Sequence, residues 1–409
     1  MHLFTETIEG LKIAWDAIRA NKLRSVLTTL GIVIGIVTVT LMGTAIDALH
    51  RSFQQTMSIF GANTLHVSRF SWASMSHEEW HKAAKRRPIT PQQARLVENQ
   101  MLLASAVAPV TGMSQPVRYK NRSSSGVRII GTTDQFLSTS GFSIGTGRFL
   151  SADEAGGGRP VCVIGTDVAT NLFRLESPLG KHLRIGPRSL EVIGVLNKQG
   201  SFLGLQSFDN QVIIPLRQLL LAYWREPDVE IWVTVGQKDQ LDNAIEELHG
   251  LMRKIRRLAP GEQDDFAINQ QEQLLRRFNK VAGIIAMVGF LITGLALFVG
   301  GIGIMNIMFV SVAERTREIG VRKAIGAKRR TILLQFLLEA ASICLLGGLL
   351  GLGVTWLATL AISNYFPMTI SLPVMGLAIL VSLITGLASG FFPAWRAARL
   401  DPVEALRSE

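Results

Sequence analysis

Cysteine is nearly absent: Cys162 and Cys344 are the two in 409 residues. The first lies in a region read as extracytoplasmic and the second in an apolar span, so they sit in different compartments and no disulfide framework supports the fold. Charge is also scarce, at 18% of residues, and the gaps are long. Residues 25–46, 281–313 and 340–395 carry no Asp, Glu, Lys or Arg, and 331–338 extends the last run across the single charge of Glu339. At ~1.5 Å per helical residue, ~20 residues cross the ~30 Å bilayer core, so these runs supply membrane-spanning helices and exclude a soluble enzyme. Also missing is any G-x-x-x-x-G-K-[ST] sequence. Without it the chain lacks the backbone cradle, lysine and magnesium-binding hydroxyl of a P-loop ATPase.

What is present is hydrophobic, at 48%. The last run is too long for one span, and Asn364, Tyr365, Pro367 and Pro373 interrupt it, so an outer turn is expected over 361–373. That predicts four helices, at 25–47, 281–313, 331–362 and 373–395. An even number of spans puts both termini on one side. Lys plus Arg number 4 in residues 1–24, 7 in 314–330 and 3 in 396–409, against none in 361–373, which makes that side cytoplasmic. The 24-residue leader and 22-residue charge-free run exceed the usual proportions of a secretory signal, so the first span is expected to be retained. The net charge of +11 is shared between the outer region and the cytoplasmic segments and needs no nucleic acid to explain it.

Residues 48–280 then form one large outer domain. TLHVS (64–68) reads as a strand, Thr90, Pro91 and Gln93 open a helix with a cap, an N1 proline and a capping-box glutamine, and a strand follows near 105–110. The same order returns in the alternating VEIWVTV (229–235), a helix marked by Leu241, Ile245, Leu248, Met252, Ile255 and Leu258, and DFAIN (265–269). Between these βαβ halves, about 112–227 is glycine-rich with short β-like runs, and Gly156, Gly157 and Gly158 are expected at a loop tip. The expected fold class is membrane α-helical, with four transmembrane helices and a large α+β extracytoplasmic domain made of a split βαβ subdomain and an inserted β-rich subdomain. Before the first span, Leu3, Ile8, Leu11, Trp15 and Ile18 recur at helical spacing, suiting either the inner membrane surface or a partner protein. As one helix, 281–313 would be ~50 Å long and would project outward as a stalk, unless Gly300 and Gly301 break it.

Several motifs invite chemistry. His77, Glu78 and His81 spell H-E-x-x-H, which on a helix could hold zinc beside a general base. A basic KAAKRRP follows and no third ligand is evident, so a surface helix or loop is expected, with no metal and no catalytic residue assigned. GIGIMN (301–306) lies in an apolar span with no preceding strand, which removes a dinucleotide loop. Glu339 is an intramembrane polar residue that should face protein, and pairing or helix packing is preferred for it over a transport role. In RTREIGVRKAIGAKRR (315–330), Glu318 and Arg322 are spaced for an i,i+4 pair, Gly320 and Gly326 permit close packing or turns, and the basic face suits an acidic partner.

NKLRSVLTTLGIVIGI (21–36), ERTREIGVRKAIGAKRR (314–330) and FPAWRAARLDPVEALR (392–407), with GTTDQF, GRFL, VCVIG and VIGVL in 131–196, resemble the signatures of MacB-like and FtsX-like ABC transporter permeases. The resemblance covers nearly the whole chain. It implies a dimeric permease of the bacterial inner membrane whose cytoplasmic loop docks in an ABC ATPase. Glu314, Arg315, Arg317, Glu318, Gly320, Arg322, Lys323, Ala324 and Gly326 would carry that coupling by motif match. With 24 residues before the first span, a separate ATPase subunit binding ATP and magnesium is implied, and this chain itself carries no cofactor. A periplasmic adaptor and an outer-membrane channel are further partners that the architecture admits. Export of an antibiotic, peptide or lipid-linked molecule, lipoprotein release, and signalling to a cell-wall hydrolase all share it, and the size of the outer domain favours transport.

Overall fold

The computed structural model describes residues 22–57, 59, 61, 63–72, 77–174, 176–202, 206–223, 228–362 and 368–407; the amphipathic stretch expected over 3–19 lies outside them. Its principal helices are α1 (Lys22–Met57), α2 (His77–Ala84), α3 (Pro91–Gln100), α4 (Leu241–Arg256), α5 (Gln271–Glu314), α6 (Thr316–Ala324), α7 (Arg329–Ile362), α8 (Leu372–Arg399) and α9 (Pro402–Arg407). The strands are β1 (Thr64–Ser68), β2 (Ala104–Tyr119), β3 (Arg122–Thr132), β4 (Ile144–Gly147), β5 (Val161–Ile164), β6 (His182–Ile185), β7 (Arg188–Leu196), β8 (Ser201–Phe202), β9 (Gln206–Ser207), β10 (Gln211–Pro215), β11 (Glu230–Val235) and β12 (Ala267–Gln270). Two compact units result, one of Arg51–Lys280 and one of the residues on either side.

In the first unit, β1-α3-β2 and β11-α4-β12 interleave. The strand order is β12-β1-β11-β2, each strand antiparallel to its neighbours, so each βαβ half straddles one strand of the other. This is the split βαβ arrangement. Alternation selects the faces: Leu65, Val67, Ile231 and Val233 are buried in one core with Ala94, Val97, Leu248 and Met252 of α3 and α4. The Thr90 hydroxyl accepts from the Gln93 amide at 3.4 Å and the Gln93 side chain accepts from the Thr90 amide at 3.2 Å, forming a reciprocal cap. Arg256, 2% exposed, is held by Asp265, the Gln93 side chain and the carbonyls of Arg87 and Pro88.

The inserted segment is not a separate sheet. β2 runs through the expected start near Gly112 to Tyr119, and β3 pairs with it from Thr111 onward, so the sheet continues as β2-β3-β10-β5-β7-β4. A second core of Val117, Ile129, Cys162, Ile164, Leu183 and Val192 lies there. Gly156–158 differ from the expected loop tip. Gly156 and Gly157 end the helix Ala152–Gly157, and Gly158 caps it at φ +66°, a left-handed conformation that favours glycine. At the other end Ser151 caps the amide of Glu154, whose carboxylate takes Arg148 in a two-pronged pair at 2.6 and 2.7 Å.

The Arg148 hydrogen bonds and the Ser151 backbone outweigh burial and hold the Glu154 carboxyl at about 2. A depressed carboxyl stabilises the fold above its unfolded value of 4.5, and that contribution disappears as pH falls through about 2. Glu154→Gln in the full chain should therefore cost roughly 2–3 kcal/mol at neutral pH, with the gap from wild type closing between 4.5 and 2. Thermal unfolding against pH measures it. A gap that does not vary with pH would contradict the assignment.

Among the described residues four helices, lying wholly or mostly in the second unit, are long and apolar enough to cross a membrane: Leu30–Gln54 within α1, together with α5, α7 and α8. α5 is one unbroken helix of 44 residues, ~66 Å long. Gly300 does not interrupt it; its backbone meets Gly31 of α1, where an added Cβ would lie 3.0 Å from the Gly300 Cα. A Cβ at Gly386 of α8 would likewise lie 2.9 Å from the Ala341 Cα of α7. Several hydroxyls buried here serve backbone carbonyls: Thr44 bonds Thr40, Thr355 bonds Gly351, and Ser382 crosses from α8 to the Cys344 carbonyl of α7, whereas Thr293 of α5 is buried without a hydrogen bond among the described residues. Pro373 belongs to the first turn of α8 rather than to the interhelical turn, a position where a missing amide hydrogen costs nothing. Nor is 396–409 a simple tail. α8 continues past Pro393 to Arg399, and α9 follows.

Candidate coupling site

The segment after the second span is a helix, α6, and it is fixed on two sides. At its start Arg315 reaches the carboxylate of Glu339 on α7 at 3.3 Å. Glu339 is 4% exposed, so the guanidinium answers the cost of placing that charge among apolar helices. About two turns later Arg322 donates to Gln335 of α7 at 2.7 Å and also holds Glu318 across the expected i,i+4 spacing. On the opposite side, Lys323 donates from Nζ to the carbonyl of Leu400 at 2.5 Å. Burial, and then the positive charge of Arg329, lower the Lys323 pKa from its ordinary value.

Gly320 lies against α9. It is buried with Ile319, and a Cβ added to it would stand 2.7 Å from the Cβ of Ala405, itself 2% exposed. α9 begins from Asp401, whose side chain accepts from the Val403 amide at 2.9 Å. α6 ends where Gly326 adopts φ +105°. The Gly326 amide bonds the Lys323 carbonyl and the Ala327 amide bonds the Arg322 carbonyl, each at 3.0 Å, which satisfies two terminal acceptors.

The nine residues picked out by motif thus divide. Arg315, Gly320 and Lys323 point into the assembly, whereas Glu314, Arg317, Glu318, Arg322, Ala324 and Gly326 are exposed. Two residues on the outward side escaped the sequence reading: Val321 is 42% exposed and Ile325 81%. Their signal was an apolar pair at i,i+4 within a charged segment. Ala405 and Leu400 were also missed, although both lie in FPAWRAARLDPVEALR (392–407).

HEEWH does form a helix, α2. Glu78 is tied to Lys82 at 2.8 Å, and the two imidazoles meet at 2.9 Å between Nε2 atoms. Among the described residues no group of three or more His, Cys, Asp or Glu is placed to hold a metal.

Comparison with known proteins decides the family. The MacB-like periplasmic core domain matches residues 25–251, and the FtsX-like permease C-terminal region matches residues 290–402, which contain α6 and its partners on α7. The chain belongs to the MacB-like, FtsX-like permeases. The permease is 32% identical over 408 residues to the uncharacterized ABC transporter permease YknZ of Bacillus subtilis (strain 168), covering 98% of this chain and 99% of that one. It is also 32% identical over 412 residues to the macrolide export ATP-binding/permease protein MacB of Neisseria gonorrhoeae, covering 99% of this chain and 62% of MacB. The permease therefore spans less than two thirds of its MacB relatives. Among solved structures, the periplasmic region of MacB from Actinobacillus actinomycetemcomitans aligns with 54% of the permease and 94% of its own length, at 18% identity and a TM-score of 0.45.

Proposed function

We propose that this permease is the membrane subunit of an ATP-driven exporter, in which α6 receives the motion of a separate cytoplasmic ABC ATPase and passes it to the spans. The carrying observation is the pairing of an apolar tip, Val321 and Ile325, with a base bolted to α7 and α9. An exposed apolar pair at the tip of a helix read as cytoplasmic suits a protein interface. A helix held on two sides transmits displacement instead of absorbing it. On this reading ATP, magnesium and hydrolysis belong to the partner and the permease acts without a catalytic residue or cofactor of its own, which the lack of a G-x-x-x-x-G-K-[ST] sequence in these 409 residues supports.

Two copies form the functional unit, in the bacterial inner membrane with both termini cytoplasmic, as the positive-inside count directs. Substrate is engaged on the outer side and expelled there, not conducted through the spans. Buried hydroxyls bonded to helix carbonyls and helices in backbone contact at glycine suit a packed bundle, not a hydrated pore. A periplasmic adaptor and an outer-membrane channel complete the pathway where the cell has them. Ile325→Asp tests docking: the ATPase should co-purify about tenfold less with this variant, while its level in the membrane stays unchanged. Undiminished co-purification would overturn the proposal.

A further inference from the structure

The split βαβ sheet has one face covered by α3 and α4, and the opposite face carries different chemistry. There the alternation that buries Leu65 and Ile231 under the helices turns His66, Glu230 and Trp232 the other way. The His66 ring sits 4.7 Å from Trp232 and 4.9 Å from Trp72. Phe70 and Trp80 stack at 6.0 Å, and Trp80 is 56% exposed. Phe70, Trp72, Trp80, Glu230 and Trp232 all line one cavity of about 1270 Å³, above the usual ~300–1,000 Å³ of a small-molecule site.

The charges around this cavity are mostly committed. Lys82 holds Glu78, Asp264 holds Arg253 and His249, and Asp265 holds Arg256 and Arg87, while the positive charges of Arg86, which donates to the neutral Arg69 carbonyl, and of Arg128 are matched in number by Glu79 and Glu230. Glu230 differs. Among the described residues its part-buried carboxylate accepts a hydrogen bond from Trp232 Nε1 at 3.2 Å and has no ion-pair partner, and Arg128, which lines the same cavity, acts on it only at longer range. Burial raises its pKa, as expected for a carboxylate without a close countercharge. Aromatic faces around an uncompensated carboxylate attract a bulky organic cation by ring quadrupole and by charge, and they repel an anion of the same shape.

We propose that this cavity is a binding site for a bulky lipophilic monocation, with its rings against Trp72, Trp80 and Trp232 and its charge at Glu230. The site deepens the proposed function by giving the outer engagement of substrate a location, and it rests on that reading for its purpose but not for its test. Binding of radiolabelled tetraphenylphosphonium to the full chain in lipid nanodiscs should be saturable at one site per chain, while tetraphenylborate, its anionic counterpart, should not compete. Glu230→Gln should weaken binding about tenfold, and Trp80→Ala by several-fold. Trp80 is exposed, so its variant stays informative if Glu230→Gln fails to fold. Unsaturable binding, equal affinity in wild type and Trp80→Ala, or competition by tetraphenylborate would overturn the site. No ATPase takes part, so loss of the site with Ile325-dependent docking intact leaves the exporter reading standing, and the reverse result separates the two equally well.

Discussion

Gly320→Leu should abolish most of the permease-dependent change in ATPase activity, a loss of about tenfold or more, while the chain still accumulates in the membrane. The reason is local. An added Cβ at Gly320 meets the Ala405 Cβ at 2.7 Å, and three further carbons have no room between α6 and α9. Forcing methylenes into a packed contact typically costs about 1–3 kcal/mol, enough to displace a six-residue helix. Leucine is a better helix former than glycine by roughly 0.5–1 kcal/mol, so α6 itself should persist. What fails is its attachment. Ala405→Gly added to Gly320→Ala removes the obstructing methyl and should restore much of what Gly320→Ala alone loses. ATP hydrolysis in proteoliposomes containing both subunits measures both effects, and normal coupling in Gly320→Leu would contradict the role given to the α6–α9 contact.

Arg315→Met should be the most destabilising single change in the membrane unit. It leaves the Glu339 carboxylate, 4% exposed, among apolar helices without the guanidinium at 3.3 Å. Removing one partner of a buried pair costs about 3–5 kcal/mol, most of it the price of the charge left behind. Replacing both members with apolar residues can be close to neutral, so Arg315→Met with Glu339→Met should recover most of the loss. Retained heat stability of the full chain in detergent measures each variant. If Arg315→Met alone matched wild type, the pair would hold no structural weight. If the double variant were stable but uncoupled, the pair would serve transmission as well as folding.

The architecture was legible because its signals are strong and local. Charge-free runs define the spans, and Thr90, Pro91 and Gln93 predict a reciprocal cap that the side chains form. Matching strand–helix–strand orders also gave the split βαβ halves, because each half repeats one pattern. What escaped depends on pairing over distance. Nothing local in Ala104–Tyr119 tells a strand that serves one subdomain from one that joins two, so the β-rich insertion was legible but not that β2 carries one sheet through both. Gly156–158 read as a loop because three glycines disfavour helix, yet the Ser151–Glu154 cap and the Arg148 pair make a helix there.

The coupling site divides in the same way. Glu318 and Arg322 lie four residues apart in sequence, and their pair could be read directly. Arg315 and Glu339 are 24 residues apart, and Lys323 and Leu400 77, so composition identified the charges and only the fold assigned their partners. Ile325 was passed over because a charged segment draws attention to its charges, although its apolar side chain is 81% exposed.

The central claim is that the α6 tip is where an ATPase engages this permease. A photo-activatable amino acid at Ile325, compared with one at Phe290 on the exposed surface of α5, tests it most directly in intact cells. The claim predicts a cross-linked product from position 325 containing a chain with a phosphate-binding loop, its yield changing when hydrolysis is blocked, and no such product from position 290. ATPase cross-links absent from 325, or equal at both positions, would contradict it.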